Sequence, residues 1–142
     1  MRPRTVRTSL RAVAASACVV MAVVATTTDA SAAKFERQGD GTTTTCRAFK
    51  LCIYEDTSFA STMYGYDVDT YAPSLNLGGG FSDPMNDQTS SIINNSSQSY
   101  CFYENSYYTG RKHIVGFGRL FPNLKEIGMN DIITSWHPGQ CV

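Results

Sequence analysis

The sequence is poor in the residues that carry out chemistry. Its 142 residues hold two histidines, His113 and His137, and one tryptophan, Trp136. There is no H-E-x-x-H, no G-x-S-x-G and no glycine loop for phosphates, so the usual signs of zinc hydrolases, serine hydrolases and nucleotide-dependent enzymes are missing. His113 follows Arg111-Lys112 and His137 precedes Pro138, positions that read as surface or strand edge and not as a general base. The chain is therefore read as a non-enzyme. Charge is equally sparse: 17% of residues are charged, with 12 Lys and Arg against 12 Asp and Glu. Nucleic acid is excluded as a partner, because binding phosphates takes clustered basic residues and no such stripe occurs. From Cys46 onward no window carries an apolar stripe over three helical turns. Short runs rich in Tyr, Phe, Ile and Val are instead broken by Gly, Pro, Asn, Asp and Ser, which predicts an all-β protein.

The longest apolar run lies at the start. Arg2, Arg4, Arg7 and Arg11 precede the apolar residues 12–25, and Ala30-Ser31-Ala32 supplies small residues for a peptidase. This layout predicts a secretory signal over 1–32, the run being shorter than the ~20 residues that cross a bilayer. Cys18 lies inside the run and not at its end, which argues against a lipid anchor. Cleavage would leave 33–142, one domain that is secreted, extracellular and off the membrane, and expected to be a monomer. Taking the four arginines and Asp29 away leaves 8 basic against 11 acidic residues, a mild acidity.

Four cysteines remain in that part: Cys46, Cys52, Cys101 and Cys141. An even number in a short exported chain predicts two disulfides. Three pairings are open; Cys46 with Cys52 and Cys101 with Cys141 is favoured, the latter worth roughly 3 to 4 kcal/mol by loop-closure reasoning. Zinc is disfavoured, since paired C-x-x-C spacing is lacking. Residues 33–45, containing KFERQGDGTTTT, show no periodicity and are expected to be a flexible leader to a domain over 46–142.

That domain repeats itself. LCIYEDTSFAS from Leu51 aligns with YCFYENSYYTG from Tyr100, so that Cys52 meets Cys101, Tyr54 meets Tyr103 and Glu55 meets Glu104, each 49 residues apart. Met85-Asn86-Asp87 meets Met129-Asn130-Asp131, 44 residues apart, which places five extra residues in the first copy near the LGGG loop. Two four-stranded Greek keys, 46–97 and 98–142, are expected to pack as a sandwich. Within each copy two aromatics five residues apart precede a small residue, Tyr103, Tyr108 and Gly110 in one and Tyr54, Phe59 and Ser61 in the other. A hairpin folded over on itself fits this spacing, with glycine at a positive-φ corner and Ser61 expected to be strained there.

Aromatic-x-x-x-x-aromatic-x-Gly followed by Asn/Asp-Asn/Asp-x-x-Ser/Thr-Ser, in two tandem copies, resembles the microbial βγ-crystallins over nearly all of the chain from Cys46 onward. With the export signal and the opening C-R-A-F-K-L-C-I-Y-E, the chain is most similar to the actinobacterial secreted metallopeptidase inhibitors, the Streptomyces metalloproteinase inhibitor family. Calcium takes 6 to 8 oxygen ligands, and Asp87, Thr89, Ser90 and Ser91 in one corner and Asp131, Thr134 and Ser135 in the other are rich in oxygen. Such strings also cap ordinary turns through local hydrogen bonds. The resemblance implies two Ca2+ sites shared between the copies: Ser90 and Gln88 with Asp131, and Thr134 and Ile132 with Asp87, with Asn86, Asn130, Glu55 and Glu104 at hand. It further implies an extracellular metallopeptidase, of the thermolysin type, as partner. Those enzymes favour a large apolar residue just after the cleaved bond, so Cys101-Phe102 is the expected inhibitory contact and Cys52-Ile53 the next, against the plainer reading that Phe102 simply alternates into the sandwich. A calcium-stabilised structural or stress protein, or a killer-toxin-like protein, is the alternative without a protease target.

Overall fold

In a computed structural model, described over residues 34–67, 71–75 and 83–142, the chain forms two antiparallel sheets facing each other. The expected signal over 1–32 and the LGGG loop lie outside the described residues. In chain order the strands are β1 (Lys34–Asp40), β2 (Leu51–Tyr54), β3 (Ala60–Tyr66), β4 (Ser91–Asn94), β5 (Tyr100–Asn105), β6 (Thr109–Val115), β7 (Leu120–Phe121) and β8 (Ser135–Pro138). One sheet runs β1-β3-β2-β4-β7 and the other β6-β5-β8.

The two copies exchange their third strands. β7, from the second copy, pairs with β4 of the first, Ile92 with Phe121 and Ile93 with Leu120. Reciprocally, Ala72 of the first copy bridges Trp136 of β8, with both backbone hydrogen bonds at 2.9 Å. Neither sheet is complete without the other copy, and this is how the expected sandwich of two Greek keys is realised.

Alternation along the strands builds the core. Leu51 and Ile53 of β2, Ile92 of β4, Tyr100 and Phe102 of β5 and Trp136 of β8 point between the sheets, where they are joined by Met85, Leu124, Met129 and Ile133. The intervening side chains of β2 are buried too: Cys52 and Tyr54 join Cys46, Phe49, Phe59, Met63 and Ile93 in a second cluster. Both favoured disulfides are formed, Cys46–Cys52 inside that cluster and Cys101–Cys141 tying the C-terminus to β5.

The leader expected over 33–45 is corrected from Lys34 onward. β1 pairs with β3 along its full length, from Lys34 opposite Tyr66 to Asp40 opposite Ala60, and Thr44–Cys46 form a 3-10 turn. β1 is an edge strand with almost every side chain in solvent, so no apolar periodicity marks it. Ladder hydrogen bonds hold it, together with Phe35 packed on the Phe49 ring at 5.6 Å and a Lys34–Asp83 ion pair at 2.7 Å.

The folded-over hairpins appear in both copies. Tyr54 and Phe59 pack with ring centroids 5.6 Å apart, and Tyr103 and Tyr108 at 5.7 Å. Each bend carries three left-handed residues, Ser58, Phe59 and Ser61 in the first and Tyr107, Tyr108 and Gly110 in the second. Ser61 thus adopts the conformation of its glycine counterpart, and its hydroxyl donates to Glu55 Oε2 at 2.9 Å. At Gly110 a Cβ would come within 2.5 Å of Asn105 Nδ2, on a backbone with φ of 81°. Gly110→Ala is therefore expected to cost about 1–2 kcal/mol, the penalty of a side chain in the left-handed region. Thermal melting of the two proteins checks this; an unchanged melting temperature would contradict it.

Candidate functional site: two facing corners and an apolar surface

Each corner begins with a buried methionine, Met85 or Met129, whose flexible side chain fills the space between the sheets. Two residues on, Asp87 and Asp131 both sit at φ of 54°, a left-handed turn that Asp tolerates better than most residues. That turn aims each corner at the other. Asp87 N donates to Ile133 O at 3.2 Å and Asp131 N to Thr89 O at 3.0 Å. The side chains cross in the same way: Ser90 Oγ donates to Asp131 Oδ1 at 3.0 Å, and Thr134 Oγ1 to Asp87 Oδ1 at 3.1 Å.

The remaining repeated positions bind each corner to its own hairpin. Ser90 N donates to Tyr54 O at 2.8 Å and Thr134 N to Tyr103 O at 2.9 Å. The last serine of each string is fully buried and makes two bonds. Ser91 Oγ donates to Asp56 O and accepts from Phe59 N, while Ser135 Oγ donates to Asn105 O and accepts from Tyr108 N. Hydroxyls in this string thus serve folding whether or not an ion is held.

Glu55 and Glu104 follow Tyr54 and Tyr103, whose carbonyls Ser90 and Thr134 bond, and their carboxylates are engaged within their own hairpins. The Glu55 carboxyl is held below its ordinary pKa by hydrogen bonds from Thr62 and Ser61; Glu104 accepts from Arg111 N at 3.1 Å. Gln88 and Ile132 take the third position of each corner. The Asn86 amide donates to Asp87 Oδ2 at 2.8 Å, and Asn130 makes the matching bond to Asp131 Oδ2. Their carbonyl oxygens, Asn86 Oδ1 and Asn130 Oδ1, are buried and have no hydrogen-bond partner. Leaving such an atom unpaired costs about 1–3 kcal/mol, and an amide oxygen is a ligand a hard cation accepts. The donor set, mostly amide, hydroxyl and carbonyl oxygen with one or two carboxylates, fits calcium. Among the described residues no group of three or more His, Cys, Asp or Glu is placed to hold a metal.

The expected inhibitory contact is corrected. Phe102 is 1% exposed and packs against Trp136 and Tyr100, with centroids at 5.9 and 6.4 Å; Cys101, Cys52 and Ile53 are fully buried. Alternation along β5 sends Phe102 into the sandwich, so it cannot reach a partner's cleft. Among the described residues, the large apolar side chains that face solvent are Phe35, Tyr71, Tyr107, Phe117, Leu120 and Val142. Sequence reasoning passed over Phe117, although its flanking Gly116 and Gly118 were a readable turn signal.

The histidines hold structural places. His137 Nε2 is 2.9 Å from Tyr103 OH and its ring meets Tyr108 edge-on at 5.0 Å. His113 meets the Phe121 ring at 5.2 Å, and partial burial lowers its pKa from the ordinary 6.5.

The family profile of peptidase inhibitor family I36 matches residues 39–115, more than half of the chain. No curated protein matches. Solved structures share the fold. One described as "Evolution of the eye lens beta-gamma-crystallin domain fold" is 14% identical at a TM-score of 0.59, covering 76% of this chain and 98% of its own. A βγ-crystallin from an archaeon is 26% identical at a TM-score of 0.50, covering 65% and 99%.

Two predictions follow from these placements. Phe102→Ala is expected to cost about 3–5 kcal/mol by opening the core; denaturant unfolding showing a loss below 1 kcal/mol would contradict the burial. His113 has a folded pKa below its unfolded value, so the unfolded chain binds more protons between the two. Its contribution to stability is full above about pH 6.5 and is lost as pH falls through the folded value. Unfolding curves at pH 7.5 and pH 5 should differ less in His113→Gln than in the parent, and identical pH profiles would contradict this.

Proposed function

The chain belongs to peptidase inhibitor family I36, and from that premise we propose that it is a secreted inhibitor of extracellular metallopeptidases of the thermolysin type, stiffened by two calcium ions at the facing corners. The family match carries this reading, with the βγ-crystallin fold and two disulfides as support. Disulfides also favour an oxidising compartment outside the cytoplasm.

An inhibitor needs no catalytic group. It needs a surface that fits a cleft and loses little freedom on binding, so that dissociation is slow. The exchanged third strands, the buried serines under each hairpin and the Cys101–Cys141 tie supply that rigidity. Calcium would add to it: Asp87, Asp131, Ser90 and Thr134 already cross between the copies, and an ion held there would replace hydrogen bonds with stronger contacts and engage the Asn86 and Asn130 carbonyls. A structural role without a protease target is the second reading, favoured by the likeness of the whole sandwich to βγ-crystallins; a killer-toxin-like activity is the third.

Purified 33–142 should inhibit a calcium-loaded thermolysin-type peptidase at near-stoichiometric amounts. No inhibition across a panel of such enzymes favours the structural reading, and growth arrest of yeast without inhibition favours the toxin. Calcium is better followed by melting than in the peptidase assay, since a chelator would also strip the enzyme's zinc. At 100 times the dissociation constant each ion should add about 2.7 kcal/mol, and Asp131→Asn should reduce that gain. A melting temperature equal in chelator and in millimolar calcium would remove calcium from the account.

A further inference from the structure

The turn between β6 and β7 carries Phe117, which is 70% exposed, with the half-exposed Leu120 beside it. Exposed aromatic rings are ordinary, but this one has an unusually well-built support. Arg119 N donates to Gly116 O at 3.2 Å to close the turn, and Gly118 takes a positive φ of 64°. Beneath it lies Asn94, fully buried at the end of β4. Its Nδ2 donates to Val115 O at 3.2 Å, to Gly116 O at 2.9 Å and to Gln98 O at 2.9 Å, while its backbone N donates to Arg119 O at 2.9 Å. Asn94 Oδ1 accepts from Ser96 N and Ser96 Oγ, which fixes the adjoining loop as well. Asn94 thus holds the backbone before Phe117 with its side-chain amide and after it with its own backbone N–H, and the pairing of Leu120 with Ile93 continues that hold into the sheet.

Two other exposed apolar side chains among the described residues, Phe35 and Tyr107, are placed differently. Phe35 rests on Phe49. Tyr107 is 74% exposed but belongs to a hairpin fold-over, next to Tyr108 and bonded through its backbone to Pro73 O. Phe117 stands between two glycines, so no neighbouring side chain would block its entry into a narrow pocket.

We infer that Phe117 is the anchor that enters the apolar subsite of the target metallopeptidase, the subsite that takes the large residue following the cleaved bond. This rests on the inhibitor reading above. A pre-formed turn gives up little entropy on binding, and a desolvated aromatic at the centre of an interface is where binding energy concentrates. The Gly116 carbonyl, tied inward by Asn94 and Arg119, keeps the turn from being drawn into an extended, substrate-like shape.

The test is the inhibition constant of the full mature chain and its variants against a thermolysin-type peptidase. Phe117→Ala should raise it by roughly 30-fold or more, the size of an interface hot spot. Phe117→Leu should stay within a few-fold of the parent, and Tyr107→Ala should leave it unchanged. Because the ring is mostly in solvent, Phe117→Ala should melt with the parent, which separates lost contact from lost fold. If the parent inhibits and Phe117→Ala inhibits as well, the anchor is overturned while the inhibitor reading stands. If the parent inhibits none of these enzymes, both fall together.

Discussion

The molecule depends on one reciprocal contact. The aspartate of each corner, turned left-handed, accepts a hydroxyl from the facing corner, Asp131 from Ser90 and Asp87 from Thr134, while its backbone N–H donates into that same facing segment. A single Greek key has an apolar face and no partner for its third strand. The crossing corners, with β7 and Ala72 exchanged between the sheets, make each copy the missing part of the other. Near-identical strings 44 residues apart are the imprint of that requirement in the sequence.

From the corners the constraint spreads outward through short polar links, not through core volume alone. Ser91 and Ser135 each bond two backbone groups of a folded-over hairpin, so the bend, the corner and the strand between them move as one body. Asn94 does similar work at the far end of β4, where the two N–H groups of one amide are shared among three carbonyls. Buried polar groups of this kind are costly unless fully paired; fully paired, they hold loops in place without a large core. A small domain gains rigidity from that economy, and the disulfides extend it to the C-terminus and to the outer face of the larger sheet.

Much of this was legible in the sequence, for identifiable reasons. The repeat, the hairpin aromatics and the cysteine count are local patterns that survive without coordinates, and they led to the fold, the disulfides and the residues that meet at the corners. Three features were not settled by the sequence. β1 has no apolar periodicity because an edge strand open to solvent needs none, and its ladder bonds leave no trace in side-chain chemistry. Phe102 stands after a disulfide cysteine, which suggested a clamped contact, but strand alternation outweighs that neighbourhood and turns the ring into the core. Phe117 was missed for the converse reason. Its support comes from Asn94, which lies 23 residues away in the sequence.

The most direct test of the facing corners as a cation cradle is calorimetric titration of Ca2+ into purified, chelator-treated 33–142. Binding of two ions per chain, with Asp87→Asn and Asp131→Asn each weakening it, is the result expected from oxygens lent across the copies. Titration without any heat of binding, in a protein shown to be folded, would contradict it.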